Sequence, residues 1–378
     1  MAEGKNNLIG RILFPPCIVF AGIVALWENE GRFNYAQEAS DATVIASPAE
    51  ALPDTTISIT GKLDTEIPIA GEYIDQFMGY HVVSRSAEIY AWDRHEDNEG
   101  RVTWKKEWQH SLEGNSRNRE LQQTLRSRSL YPPTYRLGDL TIEPSRIHFV
   151  DAYSNISISN MTLNNAGLKA GLQTRGNYFY KRAPGAAGEG ITELGDERIS
   201  YSGVRNAPTA SYFGLITGGI ANGKQFEISQ SFMSAIIQND GILHHLVNGE
   251  REPALQTMKS HFTRLKWIVR GGGTAAIIIG IYMFFRFFVN LLYRIPLLGD
   301  VISAGVFLIS LVLGLTIAII VMTFSILIHH PFMVTLPLVL IIGIIVMVKR
   351  QTGKSKANVE QALNCTPSAP CGPTSLIV

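Results

Sequence analysis

The sequence predicts a membrane protein of the α+β class, in which four transmembrane helices hold a large strand-rich domain inserted between the first helix and the second. Three apolar runs at residues 268–289, 301–328 and 331–348 carry most of this prediction. Each is about long enough to cross a hydrocarbon core of ~30 Å as a helix. A further apolar run covers residues 12–27, and the polar middle alternates apolar and polar side chains as half-buried strands do.

The N-terminal apolar run is predicted to be an uncleaved anchor helix that follows a short cytoplasmic tail at residues 1–11. A cleaved secretory signal is the alternative, but residues 24–28 offer no small-x-small cleavage site before the acidic stretch begins. Pro15 and Pro16 are expected to bend or unwind the first turn, because proline lacks the amide donor.

The basic residues predict the orientation, since four membrane segments place both chain ends on one side. The residues that then fall on this side are Lys5, Arg11, Arg286, Arg294, Lys349, Arg350, Lys354 and Lys356. The positive-inside rule makes this side the cytoplasm, although four basic residues between 259 and 270 lie on the other side. Residues 28–252 are therefore predicted to lie in the periplasm of a bacterium, or in the lumen of the endomembrane system of a eukaryote.

This middle region is predicted to consist mostly of strands. The predicted strands cover residues 55–63, 80–92, 101–108, 141–150, 197–204, 212–220 and 225–228. The second and third of them flank the turn-rich sequence Asp-Asn-Glu-Gly at 97–100, which predicts a hairpin. Short helices are predicted at residues 113–129 and 166–172.

Residues 253–267 are predicted to form an amphipathic helix that leads into the second membrane segment. Lys259, Arg264 and Lys266 lie away from its apolar side. The helix therefore either lies along the membrane surface, with these side chains near the lipid headgroups, or packs against the sheet. Three glycines at 271–273 predict a flexible joint, and residues 349–378 predict a disordered cytoplasmic tail.

The overall composition excludes some classes of protein. A formal net charge of +1 argues against a nucleic-acid binder, which carries a basic surplus. The three cysteines, Cys17, Cys365 and Cys371, lie outside the polar middle, which therefore has no internal disulfide. Asn155 and Asn160 each begin an Asn-x-Ser/Thr sequence, which is a glycosylation acceptor in a eukaryotic lumen.

Several short motifs occur in a specific order along the chain. Thr-Gly-Lys-Leu at 60–63 is followed by Ala-Glu-Ile-Tyr-Ala-Trp-Asp at 87–93 and by Trp-Lys-Lys-Glu-Trp at 104–108. Gly-Asp-Glu-Arg-Ile-Ser-Tyr-Ser-Gly follows at 195–203. In this order, and within this arrangement of apolar segments, the motifs resemble those of the LUMA family, also called transmembrane protein 43.

The resemblance extends to about Arg350, and the tail after Lys356 departs from it. It implies an integral membrane protein of the endoplasmic reticulum and inner nuclear membrane in animals, or of the inner membrane in bacterial relatives. It also implies self-association and, in animals, lamina-associated partners. The resemblance brings no catalytic residues, and no cofactor is expected.

The clearest candidate binding surface is aromatic. The candidate surface consists of Tyr90, Trp92, Trp104 and Trp108. The three tryptophans are predicted to share one face of the hairpin, because aromatic cross-strand pairs stabilise sheets. The alternative is that these rings belong to the core.

Candidate metal and catalytic groups are weaker. Asp93, His95, Glu96, Asp97 and Glu99 cluster at the hairpin turn, where they either hold a cation or are simply solvated. His244 and His245 are neighbours in a strand and so point to opposite faces, which prevents them from chelating a metal as a pair. His329 and His330 are interpreted as residues at the membrane surface. The sequence has no Gly-x-Ser-x-Gly elbow of a serine hydrolase, and no metal site or catalytic site is predicted.

The predicted membrane helices contain almost no ionisable residues, whereas transporters usually carry some there. Small residues recur instead, and they allow helices to pack closely. The leading hypothesis is therefore a non-enzymatic scaffold that binds the bilayer, a protein partner and further copies of itself. The second hypothesis is a lipid-handling or transport protein with an apolar groove at the bundle, and the third is an extracytoplasmic hydrolase that uses residues 93–99.

Overall fold

A computed structural model describes residues 3–65, 67–96, 101–144, 147–159, 161–186, 192–228, 231–292 and 299–329. These residues divide into two compact units. The helical unit contains the described residues of Met1–Arg32, Ser231–Gln238 and Lys266–Val378. The β-rich unit contains those of Phe33–Gln230 and Asn239–Leu265.

The chain forms five α-helices and eighteen strands within the described residues. The helices are α1 (Glu3–Glu30), α2 (Tyr35–Asp41), α3 (Asn165–Lys169), α4 (Arg251–Leu292) and α5 (Gly299–His329), with a 3₁₀ turn at Pro48–Glu50. The first nine strands are β1 (Thr43–Ile45), β2 (Ile57–Asp64), β3 (Ile69–Ala70), β4 (Gln76–Phe77), β5 (Tyr80–Glu96), β6 (Val102–Gln109), β7 (Arg128–Leu130), β8 (Tyr135–Leu137) and β9 (Leu140–Ile142). The others are β10 (Ser154–Ile156), β11 (Leu172–Arg175), β12 (Tyr178–Lys181), β13 (Glu197–Arg205), β14 (Thr209–Thr217), β15 (Ile220–Asn222), β16 (Lys224–Gln225), β17 (Ile242–Leu243) and β18 (His245–Asn248).

The first sheet of the β-rich unit has seven strands in the order β1-β2-β8-β9-β15-β14-β18. Since β2 pairs with both β8 and β14, five of these strands close into a ring. Alternate side chains point inward. The enclosed core includes Ile59, Leu63, Tyr135 and Tyr212.

The second sheet has the order β11-β12-β13-β5-β6, with β10 paired to β13 and β7 paired to β5. One of its faces covers a second core, which includes Val83, Ala87, Phe179 and Tyr201. The Tyr135 hydroxyl in the first sheet donates to the His81 carbonyl of β5 at 2.5 Å, and thus links the two sheets. The opposite face of the second sheet carries the aromatic residues described below.

The first turns of α4 pack against the first sheet. Leu255 and Met258 of α4 join Tyr35 of α2, Phe213 of β14 and Val247 of β18 in a third core. Of the two interpretations of residues 253–267, packing against the sheet is therefore the correct one for the apolar side of this helix.

α4 continues without a break through the glycines at 271–273, so the predicted flexible joint is wrong. The physical reason is the cost of breaking a helix in apolar surroundings. Each unsatisfied backbone group there costs several kcal/mol, whereas a helical glycine costs about 1 kcal/mol relative to alanine. α1 also continues through Pro15 and Pro16, contrary to the expected unwinding.

The segment 113–129 is not a helix, contrary to prediction. The Asn118 side chain instead pairs with the backbone of Trp92 in β5: its Oδ1 accepts from the Trp92 amide at 3.0 Å and its Nδ2 donates to the Trp92 carbonyl at 2.9 Å. Asparagine side chains that bind backbone groups in this way compete with helix formation. The predicted strand at 141–150 likewise ends at Ile142, two residues before Pro144.

Three helices, α1, α4 and α5, are long and apolar enough to cross a membrane. The predicted segments 268–289 and 301–328 lie within α4 and α5, and the segment 12–27 lies within α1. The fourth predicted segment, 331–348, and the tail 349–378 lie outside the described residues.

The three helices pack through glycines. A Cβ added to Gly22 of α1 would lie 2.8 Å from the Gly273 carbonyl oxygen of α4, and one added to Gly280 would lie 2.9 Å from the Pro15 carbonyl oxygen. One added to Gly314 of α5 would lie 2.5 Å from Ile278 of α4. Small residues therefore allow the helix backbones to approach closely, as predicted.

Candidate functional site: the aromatic–cation face

The predicted aromatic residues do share one face of the hairpin. Tyr90 of β5 lies directly opposite Trp108 of β6, and Trp92 lies opposite Lys106. Trp104 lies opposite Arg94, two residues further along. Because side chains alternate along a strand, all of these point to the same side of the sheet. We call this surface the aromatic–cation face.

Cationic side chains stack on the tryptophan rings. The Arg117 guanidinium lies 4.6 Å from the ring centroids of both Trp92 and Trp104. The Lys106 ammonium lies 5.0 Å from the Trp92 ring. Each such contact contributes about 0.5–1 kcal/mol at an exposed site. The rings are half-buried and their faces are partly covered, so they are held in fixed positions.

A second arginine extends the face towards β13 and β12. The Arg198 guanidinium of β13 lies 4.1 Å from the Trp108 ring and 4.2 Å from the Tyr178 ring of β12. Its Nε donates to Glu88 at 2.6 Å, which fixes its plane. The Tyr90 and Trp108 rings are 5.3 Å apart. Rings and cations therefore form a continuous, preorganised surface.

Sequence reasoning missed Arg117, Arg198 and Tyr178. Arg117 reaches the tryptophans because Asn115 and Asn118 bind the Trp92 backbone and hold the loop against β5. The Asn-x-x-Asn spacing was the available signal for this turn. Arg198 and Tyr178 join the face only through the strand order β12-β13-β5-β6, which no local motif reveals.

Unlike this face, the membrane-spanning parts of the helices carry almost no charge. Residues 271–285 of α4 and 301–328 of α5 contain no Asp, Glu, Lys or Arg. One side of α5 packs inside the helical unit, where Ala318 joins Leu26 of α1 and Ile277 of α4. Its opposite side exposes large apolar residues such as Leu308 and Val312, as a lipid-facing helix does.

A protein-family model described as transmembrane protein 43 matches residues 84–331, which is 248 of the 378 residues. This chain belongs to the transmembrane protein 43 family. The resemblance inferred from the motifs is thereby confirmed, and with three apolar helices it identifies an integral membrane protein. No curated protein and no solved structure matches the chain.

In this member of the family, the candidate cation cluster lies on the other face of the hairpin. Donor atoms of Asp93, His95 and Glu107 lie within 4.8 Å of one another. Glu107 was not in the predicted cluster. Glu96, which was, pairs with Arg94 at 2.7 Å instead. Asp97 and Glu99 lie outside the described residues. Lys105, directly opposite Asp93, already supplies a positive charge there, so the arrangement carries no assignment of a metal.

The paired histidines point to opposite sides, as predicted. The His244 Nδ1 lies 2.7 Å from the Tyr212 hydroxyl inside the closed ring of strands. The buried His245 ring stacks on Tyr35 at 4.7 Å and on His148 at 5.1 Å. Burial holds the pKa of His245 well below its usual value, so His245 is neutral at physiological pH.

The remaining predicted residues occupy several sites. Lys259 and Arg264 are exposed on α4, where they remain candidates for contact with lipid headgroups. Lys266 has a protein partner instead: its Nζ lies 3.0 Å from the buried Glu30 carboxylate, which also pairs with Arg270 at 2.7 Å.

His329 lies edge-on to Trp27 at 5.7 Å, and His330 lies outside the described residues. Asn155 is exposed on β10, whereas Asn160 lies outside the described residues.

Proposed function

We propose that this protein is a non-enzymatic membrane scaffold. In this proposal the helices anchor the chain, and the β-rich unit lies outside the cytoplasm. The β-rich unit binds another protein through the aromatic–cation face. The single observation that carries the proposal is the continuous stack of rings and cations across β12, β13, β5 and β6.

The residue types on this face favour protein recognition. Tryptophan, tyrosine and arginine dominate the binding energy of protein interfaces. Stacking fixes these side chains before a partner arrives, so less conformational entropy is lost on binding. The face supplies rings and guanidinium groups rather than a nucleophile beside a base, which supports binding rather than bond-making chemistry.

The charge of the face indicates the partner's chemistry. Arg94, Lys106, Arg117 and Arg198 contribute positive charge, and of these Arg94 and Arg198 are paired with carboxylates. Lys106 and Arg117 stack on rings and are exposed. A protein segment with acidic side chains and an apolar or aromatic anchor would complement them.

Self-association is the second part of the proposal. Among the residues that the structure describes, no atom lies within 4 Å of a Cβ added to Gly305 of α5, which leaves room for close approach by a helix of another copy. The exposed apolar side of α5 is consistent with such a contact as well as with lipid. Native mass spectrometry in mild detergent is expected to show an oligomer, and a strictly monomeric species would contradict this part.

Chemical cross-linking in intact membranes tests the binding face. The double variant Trp104→Ala/Arg117→Ala removes the centre of the stack, and Arg119→Ala, an exposed arginine on the same loop, is the matched control. We expect the double variant to lose its cross-linked partners while the control keeps them. Equal cross-linking in both, with equal protein levels, would rule out the aromatic–cation face as the recognition surface.

A further inference from the structure

A short segment of the middle region folds with the helices rather than with the strands. Residues Ser231–Gln238 belong to the helical unit, although the strands β16 and β17 on either side belong to the β-rich unit. Their sequence, Ser-Phe-Met-Ser-Ala-Ile-Ile-Gln, contains no charged residue. We call these residues the turn segment.

One side of the turn segment is buried against the helices. Met233 and Ile237 pack with Val24 and Ala25 of α1 and with Val269 of α4. The Ser234 hydroxyl donates to the Glu28 carboxylate at 3.2 Å, which ties the same side to the end of α1.

The other side of the turn segment exposes large apolar side chains. Phe232 is 61% exposed and Ile236 is 70% exposed, although both are large hydrophobic residues. In α4, Trp267 and Ile268, which directly precede Val269, are similarly exposed, at 63% and 60%. The turn segment therefore packs on α4 at Val269, which directly follows two exposed apolar residues of that helix.

The position along α1 indicates the depth of the turn segment. Glu30, Lys266 and Arg270 form an ion-pair cluster, and the Arg270 guanidinium lies 4.8 Å from the Trp267 ring. Charged groups and a tryptophan at one level mark the interface between headgroups and acyl chains. The contacts of the turn segment on α1 run from Glu28, two residues before Glu30, to Val24, six residues before it, which corresponds to about 3–9 Å along a helix at 1.5 Å per residue. Interfacial segments insert by about 5–10 Å.

Part of the backbone of the turn segment is hydrogen-bonded within the segment. The Ile237 amide donates to the Met233 carbonyl at 2.9 Å, and the Ser234 amide donates to the Ser231 carbonyl at 3.2 Å. The Ser231 and Ser234 hydroxyls accept from the amides of Met233 and Ser231, each at 3.0 Å. Internal hydrogen bonds of this kind are required where water is scarce.

From these observations we infer that the turn segment is a membrane-inserted element. Phe232 and Ile236 contact the acyl chains of the leaflet at the Glu30 end of α1. The occupant of this apolar surface is lipid, because the segment packs on the membrane helices α1 and α4 and carries no charge. The segment would thus attach the loop between β16 and β17 to the bilayer as well as to the helices.

Site-specific labelling of the full chain in lipid vesicles tests this inference. Cys17, Cys365 and Cys371 are replaced by Ser, and a single cysteine at 232, 233, 236 or 237 carries an environment-sensitive fluorophore. The reference positions are Leu308 of α5, on its lipid-facing side, and Leu168 of α3, which is 61% exposed in the β-rich unit.

We expect blue-shifted emission at Phe232→Cys and Ile236→Cys, with quenching by spin-labelled lipid comparable to that at Leu308→Cys. The buried positions 233 and 237 should be quenched at least twofold less. Water-like emission at 232 and 236, as at Leu168→Cys, would overturn the inference. Blue-shifted emission without lipid quenching would also overturn it, since protein rather than lipid would then cover the surface.

Discussion

At the scale of single residues, Gly22 and Gly273 set the distance between α1 and α4. A Cβ at Gly22 would lie 2.8 Å from a backbone oxygen of α4, and backbone cannot move aside as a flexible side chain can. Gly272, one residue before Gly273, has no atom of the described part of the chain within 4 Å of an added Cβ. Gly22 and Gly272 are therefore both helical, but only Gly22 lacks room for a side chain.

We expect Gly22→Ala to destabilise the helical unit by about 1–3 kcal/mol, because it overpacks the helix crossing. Gly272→Ala is the matched control, and it should be neutral or stabilise by up to about 1 kcal/mol through helix propensity. Thermal unfolding of both variants in detergent measures this difference. Equal unfolding temperatures would show that the close crossing contributes nothing.

His245 makes the stability of the β-rich unit dependent on pH. Burial lowers its pKa in the folded state, while the unfolded chain retains a value near 6.5. The stabilising contribution is therefore complete above pH 6.5 and is lost as the pH falls, by about 1.4 kcal/mol per pH unit. Electrostatic interaction with His148, His244 and His261 lowers the pKa of His245 further, and Asp240 raises it.

The variant His245→Phe should reduce this pH dependence between pH 6.5 and 5, because it keeps an aromatic ring on Tyr35 and removes the proton acceptor. Burial also lowers the pKa of His81, to about 4, and this contribution is the same in the variant and the parent. Burial raises the pKa of Asp151 to about 6, so Asp151 stabilises the fold as the pH falls, in the variant and the parent alike. The difference between the two denaturation profiles therefore reports His245 together with its electrostatic coupling to neighbours such as His148 and Asp240. Parallel profiles would contradict a buried, neutral imidazole.

At the scale of elements, the local sequence pattern correctly predicted those helices and strands that local interactions determine. The β5–β6 hairpin and α3 lie where the sequence placed them, because alternation and turn residues act over a few positions. The Gly271–Gly273 joint was wrong because the surroundings of α4, rather than glycine propensity, decide whether the helix continues. The helix at 113–129 was wrong because Asn115 and Asn118 bind β5, a partner that sequence periodicity does not reveal.

The loop that carries Arg117 should contribute measurably to the stability of the hairpin. Arg117→Ala removes two ring contacts, which predicts a loss of about 1 kcal/mol, whereas Arg119→Ala should change stability by less than about half of that. Tryptophan fluorescence during chemical denaturation follows this unfolding, because Trp92, Trp104 and Trp108 are three of the five tryptophans of the chain. An effect of equal size in both variants would show that the stacking is not stabilising.

At the scale of the whole molecule, the apolar runs predicted a membrane protein, and the order of the motifs predicted the family. The candidate site was predicted only in part. Tyr90, Trp92, Trp104 and Trp108 were found from strand alternation, but the arginines that stack on them come from other strands and a loop. Long-range pairing of β5 with β13 brings these parts together, and single-sequence patterns carry little information about such pairing.

The proposed function depends most on the β-rich unit lying outside the cytoplasm, because that location determines which partners this unit can meet. Leu168→Cys places one thiol in this unit, with the native cysteines replaced by Ser. A companion variant retains only Cys371, in the predicted cytoplasmic tail. Both are treated with a membrane-impermeant maleimide in sealed vesicles whose cytoplasmic face is outward.

We expect Cys371 to react at once and the thiol at position 168 to react only after detergent opens the vesicles. Reaction at position 168 in sealed vesicles would place the β-rich unit in the cytoplasm and contradict the account.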